Sequence, residues 1–309
     1  MSGKSQMESY IQEWKSRFER QRKFLPKGLY EIIGRSAVYL DGVGAFGGPA
    51  ALILAKTGVQ KFLISDSQSY HVDSIVGQLL ANVDSVGHSK TEIAKEIILK
   101  INPEAEVEIV PSSNRIEVLR SSIDRVDAVV MGMDTFSEGI ACYRAARECQ
   151  KPVVDFFFFP TPNVSSTFPE DPMPEERFDY PTQSLAPEDC DQAEVGKESM
   201  ARLLAYGFST LPEIYEECQD LIPDLLPCLL KLELPIPTFA PMTAQIGVLL
   251  AREAIACIAQ THRIKFPRLG WPAFYLDMIC ANSRVPISPF LKESPNWETW
   301  YQRMLEMQK

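Results

Sequence analysis

Short apolar runs alternate with segments of helical character along the first half of the chain. Apolar runs separated by helices are typical of a parallel sheet that is covered on both faces. We therefore predict an α/β fold, a doubly wound and mainly parallel sheet. The predicted strands are 36–41, 61–66, 105–110, 128–131 and 153–158, and the predicted helices between them are 48–56, 89–100, 116–121 and 137–150.

The pattern changes in the second half of the chain. Residues 160–197 are rich in proline and acidic residues and show little periodicity, so we predict a long crossing loop there. An amphipathic helix is predicted before the sheet, with Trp14 and Phe18 on its apolar face. Further predicted elements are helices at 198–205 and 238–260, broken helices at 213–231 and a last strand at 274–279. The predicted parts are a helical arm (1–34), a nucleotide-binding half (35–159), the crossing loop (160–197) and a second half of the same domain (198–309).

Composition narrows the class of protein. The 309 residues have a formal net charge of −10, which argues against broad nucleic-acid binding. Apolar runs such as 246–251 are too short to span a bilayer. The seven cysteines are scattered and never form a CxxC pair, which argues against a disulfide framework or a structural zinc site. We expect a cytoplasmic protein with reduced thiols and no membrane segment.

A glycine-rich turn follows the first predicted strand and points to a nucleotide. Gly42 can form the tight turn, Gly44 lets the backbone approach a phosphate, and Gly47 lets the next helix pack closely on the sheet. Asp66 ends the second predicted strand, where a carboxylate accepts hydrogen bonds from ribose hydroxyls. This order of elements predicts a nucleotide-binding βαβ unit.

Three charged residues suit a triphosphate with Mg²⁺. Arg20 precedes the first predicted strand, Lys90 opens the helix after the second, and Asp134 follows the fourth. Ligands of doubly wound sheets bind at the carboxyl ends of the strands, where cations would offset phosphate charge and the carboxylate would hold the metal. NAD or FAD would also suit the turn, but an oxidoreductase has no required place for these three residues. A fold that has lost its ligand is a further alternative.

Several motifs together resemble the ThiF/MoeB/HesA family, the bacterial relatives of ubiquitin-activating E1 enzymes. The resemblance covers mainly the first half of the chain. It rests on Arg17-Phe18-Glu19-Arg20-Gln21 before the sheet, on the turn Gly42-Val43-Gly44-Ala45-Phe46-Gly47, and on Asp66, Lys90 and Asp134.

The resemblance implies ATP-dependent adenylylation of a carboxylate with release of pyrophosphate. It implies ATP and Mg²⁺ as cofactors, and a homodimer in which Arg20 reaches into the partner's site. The substrate would be the C-terminus of a ubiquitin-like protein, a peptide or a modified tRNA base. Catalysis would use Arg20, Lys90 and the magnesium ligand Asp134, whereas nucleotide contacts would come from Gly42, Gly44, Gly47, Asp66, Gln78 and Lys90.

Two segments depart from the family pattern. The family's Asn-x-x-Arg-Gln motif is Ser74-Ile75-Val76-Gly77-Gln78 here, so the glutamine is kept while Gly77 replaces the arginine that contacts ATP phosphate. Asp155 and the run Phe156–Phe159 replace a stretch that is usually rich in glycine. A catalytically impaired homodimer that binds a nucleotide or a protein without turnover is therefore an alternative to the enzyme.

Cys190 lies in the predicted crossing loop, where related enzymes that form thioesters often have a nucleophile. Its acidic neighbours Glu188, Asp189 and Asp191 would raise the thiol pKa rather than lower it. We therefore expect Cys190 to be an exposed cysteine without a catalytic role.

Overall fold

A computed structural model describes residues 13–133, 135–157, 163–210, 212, 215–216, 224–231, 238–266 and 290–308. The strands in these ranges form one six-stranded sheet. They are β1 (Ala37–Asp41), β2 (Lys61–Ser65), β3 (Glu106–Ile109), β4 (Ala128–Met131), β5 (Val153–Phe157) and β6 (Asn163–Thr167). The first five agree with the predicted strands to within one or two residues at each end.

Helices occupy most of the remaining described chain. The α-helices are α1 (Trp14–Arg22), α2 (Leu29–Ile33), α3 (Gly47–Thr57), α4 (Ser74–Gly77), α5 (Lys90–Ile101), α6 (Ile116–Ile123), α7 (Phe136–Glu148), α8 (Pro174–Arg177), α9 (Ala193–Thr210), α10 (Leu225–Lys231), α11 (Ala240–Thr261) and α12 (Trp297–Met307). Short 3₁₀ helices lie at Val83–Ser85, Pro181–Ser184, Pro187–Asp189 and Leu291–Glu293. The strand predicted at 274–279 lies outside the described residues.

The sheet has the strand order β3-β2-β1-β4-β5-β6. Strands β1 to β5 are parallel and β6 runs antiparallel to β5. The order reverses between β1 and β4, and ligands of doubly wound sheets bind at such a switch point. The predicted fold class, a doubly wound and mainly parallel sheet, is confirmed.

Both faces of the sheet are covered, which explains the continuous apolar strands. Val38 and Leu40 of β1 belong to a core that includes residues of α3, α5 and α11. Ala37 and Tyr39 of the same strand face a second core built with α6 and α7. Alternate residues of this strand thus enter different cores, which explains why four consecutive positions, Ala37 to Leu40, are apolar or aromatic.

The segment predicted as a long crossing loop contains a strand and the start of a helix. Strand β6 lies inside it, and α9 begins at Ala193 rather than near 198. The strand escaped the pattern because its residues are mostly small and polar. Ser166 is buried nonetheless, and its hydroxyl donates to Glu253 Oε1 of α11 at 2.7 Å. A buried hydroxyl with a partner is compatible with a core strand.

Helix α11 is long and apolar enough to cross a membrane by length and composition. However, 72% of its most apolar window is buried inside the protein. It packs against α3, and a Cβ added at Gly247 would lie 2.3 Å from Pro49 Cβ. The helix therefore has the burial of a core helix.

Three glycines meet where β1 and β4 end, and we call this contact the glycine junction (Gly42, Gly47 and Gly132). Gly42 adopts a φ of 91°, in the left-handed region that favours glycine. A Cβ on Gly47 would lie 1.9 Å from the Gly42 oxygen, and one on Gly132 would lie 2.5 Å from the same atom. The junction therefore has no room for side chains.

Replacing Gly47 with alanine is expected to lower the free energy of unfolding by about 2 kcal/mol or more, because backbone must move to admit the methyl group. Urea unfolding measures the loss. The matched control is Gly139→Ala in α7, where the new Cβ would meet only the flexible end of Met131, at 3.3 Å. Alanine is the better helix former, so the control should stay within about 1 kcal/mol of wild type. Equal effects of the two substitutions would contradict the close contact.

Candidate active site

A cavity of about 930 Å³ lies at the carboxyl ends of the strands. One end is polar and lies around the glycine turn. The other end is aromatic and lies beside β5 and α7. The polar end includes Gly42, Gly44, Asp66, Gln78 and Lys90, and the aromatic end includes Phe136, Tyr143, Phe156, Phe157 and Tyr180. The cavity thus brings together the predicted nucleotide-contacting residues Gly42, Gly44, Asp66, Gln78 and Lys90, while Gly47 lies directly behind the turn.

The glycine turn presents unused backbone donors to the cavity. Gly44, Ala45 and Phe46 line it, and α3 begins immediately afterwards. The N–H groups of Gly44 and Ala45 make no hydrogen bond within the described part of the chain. No side chain caps the helix at Phe46. Free N–H groups at a helix N-terminus favour an anion, such as a phosphate group.

Asp66 braces the turn from the neighbouring strand. Its Oδ2 accepts a hydrogen bond from the Val43 N–H at 3.0 Å, and its Oδ1 accepts one from the Gln68 N–H at 2.9 Å. Each carboxylate oxygen has capacity for a further hydrogen bond. The side chain is half-buried at the cavity wall, so a ribose hydroxyl could reach it.

Lys90 is a buried cation at the polar end of the cavity. It is only 5% exposed, and its ammonium donates to Gln68 Oε1 at 2.6 Å. In the described residues it has no carboxylate partner. A Cβ added at Gly44 would lie 3.5 Å from both Lys90 Nζ and Gln78 Oε1, so the two side chains meet over the turn. An unpaired buried ammonium at the start of a helix is costly, and an anion beside it would remove that cost.

Gln78 has a polar atom without a hydrogen-bond partner at the polar end of the cavity. Its Oε1 is buried and has no hydrogen-bond partner. Buried polar atoms are normally paired, so an orphan at a cavity wall indicates a missing partner. The side chains of Lys90 and Gln78 therefore both reach the space over Gly44. The ammonium of Lys90 can donate, and the Gln78 oxygen can accept, a further hydrogen bond.

The charge around the cavity is predominantly negative. Among the described residues that line it, Lys90 is the one lysine or arginine. The carboxylates are Asp66, Asp73, Glu138 and Asp155. A polyanion entering this cavity would meet repulsion unless cations accompany it.

Arg20 does not line the cavity of its own chain. It is exposed on α1, which packs at the amino ends of the strands. There the Trp14 indole donates to the Gly58 oxygen at 2.9 Å, and Arg17 donates to Asn102 Oδ1 at 3.2 Å. Its predicted role, in the site of a partner chain, stays a prediction.

The predicted metal ligand Asp134 lies outside the described residues. Its neighbours Met133 and Thr135 both line the cavity. Across the described ranges, no group of three or more histidine, cysteine, aspartate or glutamate side chains could hold a metal ion. The assignment of Mg²⁺ to Asp134 stays a prediction.

Gly77, at the position of the family's arginine, is closed off by the second half of the chain. A Cβ there would lie 2.2 Å from Thr238 Oγ1. The Thr243 hydroxyl donates to the Gly77 oxygen at 2.7 Å, which fixes α4 against the start of α11. Thr238 itself lines the cavity. Where the family has an arginine, this chain therefore has a packing contact with Thr238. Among the described residues that line the cavity, Lys90 remains the one lysine or arginine.

Asp41, which the sequence analysis did not select, is fully buried beneath the turn. Its Oδ1 accepts hydrogen bonds from Ser65 Oγ at 2.8 Å and from the Tyr39 hydroxyl at 3.0 Å. Burial raises the pKa of Asp41 to about 7, and the hydrogen bonds offset only part of that rise. The signal in the sequence is a carboxylate that ends an apolar strand directly before Gly42.

Asp155 stands at the aromatic end of the cavity. Its Oδ2 accepts a hydrogen bond from the Tyr143 hydroxyl at 3.0 Å. Burial raises the pKa of this carboxyl to about 6, against the hydrogen bonds of Phe156 N–H and Tyr143 that stabilise the charge. In the sequence, Asp155 stood out only as a departure from the family pattern. The phenylalanines that follow it gave no sign that they line a cavity.

Cys190 is buried, so the predicted exposure of its side chain is wrong. Its thiol donates to the Ala186 oxygen at 3.4 Å. Burial is the main cause that raises the pKa of the thiol to about 11, and Glu175 and Asp191 add to it. A buried thiol with a raised pKa is a poor nucleophile.

The fold is that of a doubly wound α/β protein with a cavity at its topological switch point. The family model described as "ThiF family" matches residues 18–277. That span is most of the chain, so the chain belongs to the ThiF family, as the motifs predicted.

Individual relatives match over shorter stretches. The chain is 34% identical over 110 residues to a probable molybdopterin-synthase adenylyltransferase of Porphyra purpurea, covering 34% of this chain and 28% of the relative. It is 31% identical over 137 residues to the tRNA threonylcarbamoyladenosine dehydratase of Bacillus subtilis (strain 168), covering 43% of this chain and 52% of the relative. The chain thus matches about half or less of these relatives.

Among solved structures, the fold is similar to that of Escherichia coli MccB with ATP. The TM-score is 0.52 at 18% identity, over 75% of this chain and 58% of that one. The similarity supports an E1-like arrangement of the sheet and helices.

Replacing Asp41 with asparagine is expected to flatten the pH dependence of stability. The carboxyl ionises near 3.8 in an unfolded chain but near 7 when folded, so the folded protein binds the extra proton between these values. Its stability therefore falls as pH rises through this window, by up to about 4 kcal/mol from this group. Urea unfolding at several pH values measures the slope.

The control for this series is Asp124→Asn, an exposed carboxylate at the end of α6. This variant should show the same change of unfolding free energy with pH as the wild type. A slope that Asp41→Asn does not change would show that the buried carboxyl is not the source.

Gly77→Ala is expected to lower the free energy of unfolding by about 1–3 kcal/mol, because the new methyl group would overlap Thr238. Thr238→Gly removes the overlapping atoms, so the double variant should recover most of that loss. A double-mutant cycle by urea unfolding measures the coupling. Additive losses would contradict the contact.

Proposed function

We propose that the chain is an ATP-dependent adenylyltransferase that activates a carboxylate. A carboxylate oxygen of the substrate attacks the α-phosphorus of ATP. The bond between that phosphorus and the oxygen bridging to the β-phosphorus breaks. The products are an acyl-adenylate and pyrophosphate. Family membership and the name of the Porphyra relative support this class of reaction.

One observation carries the proposal. The ammonium of Lys90 reaches the space over Gly44, beside the free backbone N–H groups of Gly44 and Ala45. Cationic and N–H donors fixed at one point stabilise charge that develops on phosphate oxygens. With the ribose at Asp66, the α-phosphate would lie over Gly44 within reach of Lys90.

The excess of carboxylates around the cavity fits a divalent cation. Magnesium takes oxygen ligands, commonly one or two carboxylates together with phosphates of the substrate. Asp134 would hold it, and the metal would supply neutralisation of phosphate charge. The bound metal would also offset the repulsion between the phosphates of ATP and the four carboxylates of the cavity wall.

The rest of the proposed assembly follows from the resemblance. We propose a cytoplasmic homodimer in which Arg20 of one chain contributes to the site of the other. The exposed position of Arg20, away from its own cavity, is compatible with this role. The acceptor would be the C-terminus of a ubiquitin-like protein, a peptide or a modified tRNA base; one relative's name refers to tRNA.

A second candidate is a family member that binds a nucleotide or a protein without turnover. The contact of Thr238 at Gly77 favours it, because a cation expected at the phosphates is absent from the described lining residues. An NAD- or FAD-dependent oxidoreductase is supported by the glycine turn and Asp66 alone.

Replacing Lys90 with alanine is expected to weaken binding of ATP with Mg²⁺ roughly ten- to a hundredfold, since a charge-assisted contact to phosphate is lost. Isothermal titration calorimetry measures the affinity. The control is Lys100→Ala on the same helix, whose exposed side chain pairs with Glu96, and it should bind as wild type does. Asp134→Ala tests the metal ligand in the same series.

The outcomes separate the candidates. Tight binding that depends on Lys90, followed by pyrophosphate release with an acceptor, supports the adenylyltransferase. Binding without release across protein, peptide and tRNA acceptors supports the binding protein. No binding of ATP, with binding of NAD or FAD instead, would replace both proposals with the oxidoreductase.

A further inference from the structure

A small side compartment adjoins the aromatic end of the cavity. Its volume is about 70 Å³, and its walls include Tyr143, Asp155, Phe156, Phe157, Phe178 and Tyr180. All of these except Phe178 also line the main cavity, so the two spaces share a wall. A water molecule takes about 30 Å³, so the compartment has room for roughly two groups of that size.

The polar feature of the compartment is the carboxyl group of Asp155. Its two oxygens accept hydrogen bonds from Tyr143 Oη and from the Phe156 N–H, at 3.0 and 2.6 Å. Across the described residues no lysine, arginine or histidine pairs with it. Burial without a cation raises the pKa of Asp155 to about 6, so a cation placed beside it would be stabilised.

The remaining walls suit a cation as well. Tyr180 lies between Phe136 and Phe178, with 5.5 Å between its ring centroid and each of theirs. The Phe156 ring packs against Phe46 of the glycine turn at a centroid distance of 4.0 Å. Aromatic faces attract an ammonium group through their quadrupole, and a carboxylate adds direct charge attraction.

The strand order gives the compartment a position relative to the nucleotide. Asp66 follows β2, whereas Asp155 lies in β5, on the other side of β1. A nucleotide with its ribose at Asp66 and its phosphates at Gly44 would leave the space over β4 and β5 to the second substrate. Neighbouring strands are about 4.8 Å apart, so the compartment lies about 10 Å from the end of β1.

We propose that the side compartment binds an alkylammonium group of the acceptor substrate, about 10 Å from the carboxylate that is activated. This proposal rests on the proposed function for the position of that carboxylate. An extended chain advances about 3.3 Å per residue, so a free N-terminus about three residues before a carboxylate has the right reach. A lysine side chain presents the same ammonium chemistry.

The first test needs no nucleotide. Binding of n-propylammonium and of n-propanol to the full chain is measured by saturation-transfer NMR, for wild type, Asp155→Asn and Asp73→Asn. Asp73 is an exposed carboxylate on the wall of the main cavity, so its replacement controls for net charge. We expect wild type and Asp73→Asn to prefer the ammonium by about tenfold, a contrast typical of a charge-assisted contact. Asp155→Asn should lose this preference.

Equal binding of the two probes to wild type would overturn the proposal without any variant. An ammonium preference that survives Asp155→Asn would also overturn it. Tyr143→Phe keeps the charge of Asp155 and loses only one hydrogen bond, so it should retain the preference. If Asp155→Asn unfolds, the preference of wild type and its retention in Tyr143→Phe still decide the outcome.

The second test identifies the source of the ammonium group in the presence of ATP and Mg²⁺. The affinity for triglycine is compared with the affinity for N-acetyl-triglycine. In a second pair, the affinity for Nα-acetyl-lysine is compared with the affinity for Nα-acetyl-norleucine. Preference for triglycine supports a peptide N-terminus, and preference for Nα-acetyl-lysine supports a lysine side chain. No preference in either pair overturns the substrate class. Loss of ATP binding with the n-propylammonium preference intact would refute only the proposed function.

Discussion

The close backbone contact between the end of β1, the start of α3 and the end of β4 determines where a ligand can bind. At this junction the Gly42 oxygen faces Gly47 and Gly132 at distances that exclude any side chain. The contact lets α3 start directly behind the turn, whose residues Gly44 and Ala45 line the cavity and have backbone N–H groups without a partner in the described residues. The strand order reverses at the same place, so the two helices that follow these strands lie on opposite faces. A cleft is left between them.

The second half of the chain completes the polar end of that cleft. Helix α11 packs against α3, and its first residues hold α4 through Thr243 and Thr238. Because α4 leads directly to Gln78, the position of α11 determines where that side chain enters the cavity. The packing at Gly77 thus depends on how the late helix docks.

The sequence predicted the parts of the structure that depend on local pattern. Buried parallel strands have long apolar runs, so β1, β2, β4 and β5 were recognisable, and the spacing of glycines revealed the turn. Strand β6 was missed because its residues are mostly polar, and the buried hydroxyl of Ser166 is satisfied by Glu253, which is distant in sequence. Asp41 and Asp155 were missed as site features for the same reason. Their burial depends on Tyr39, Ser65 and Tyr143, and pairing across elements leaves no periodic signal.

The carboxylates around the cavity have a consequence for the speed of ligand capture. A chain with a net charge of −10 and an acidic cavity wall repels a free nucleotide over distances of about a Debye length, ~8 Å at physiological ionic strength. Encounter with an unaccompanied polyanion should therefore accelerate as salt is added, the opposite of electrostatic steering. A ligand that carries positive charge would be drawn in faster at low salt. The order in which two such substrates arrive would then depend on the ionic strength of the medium.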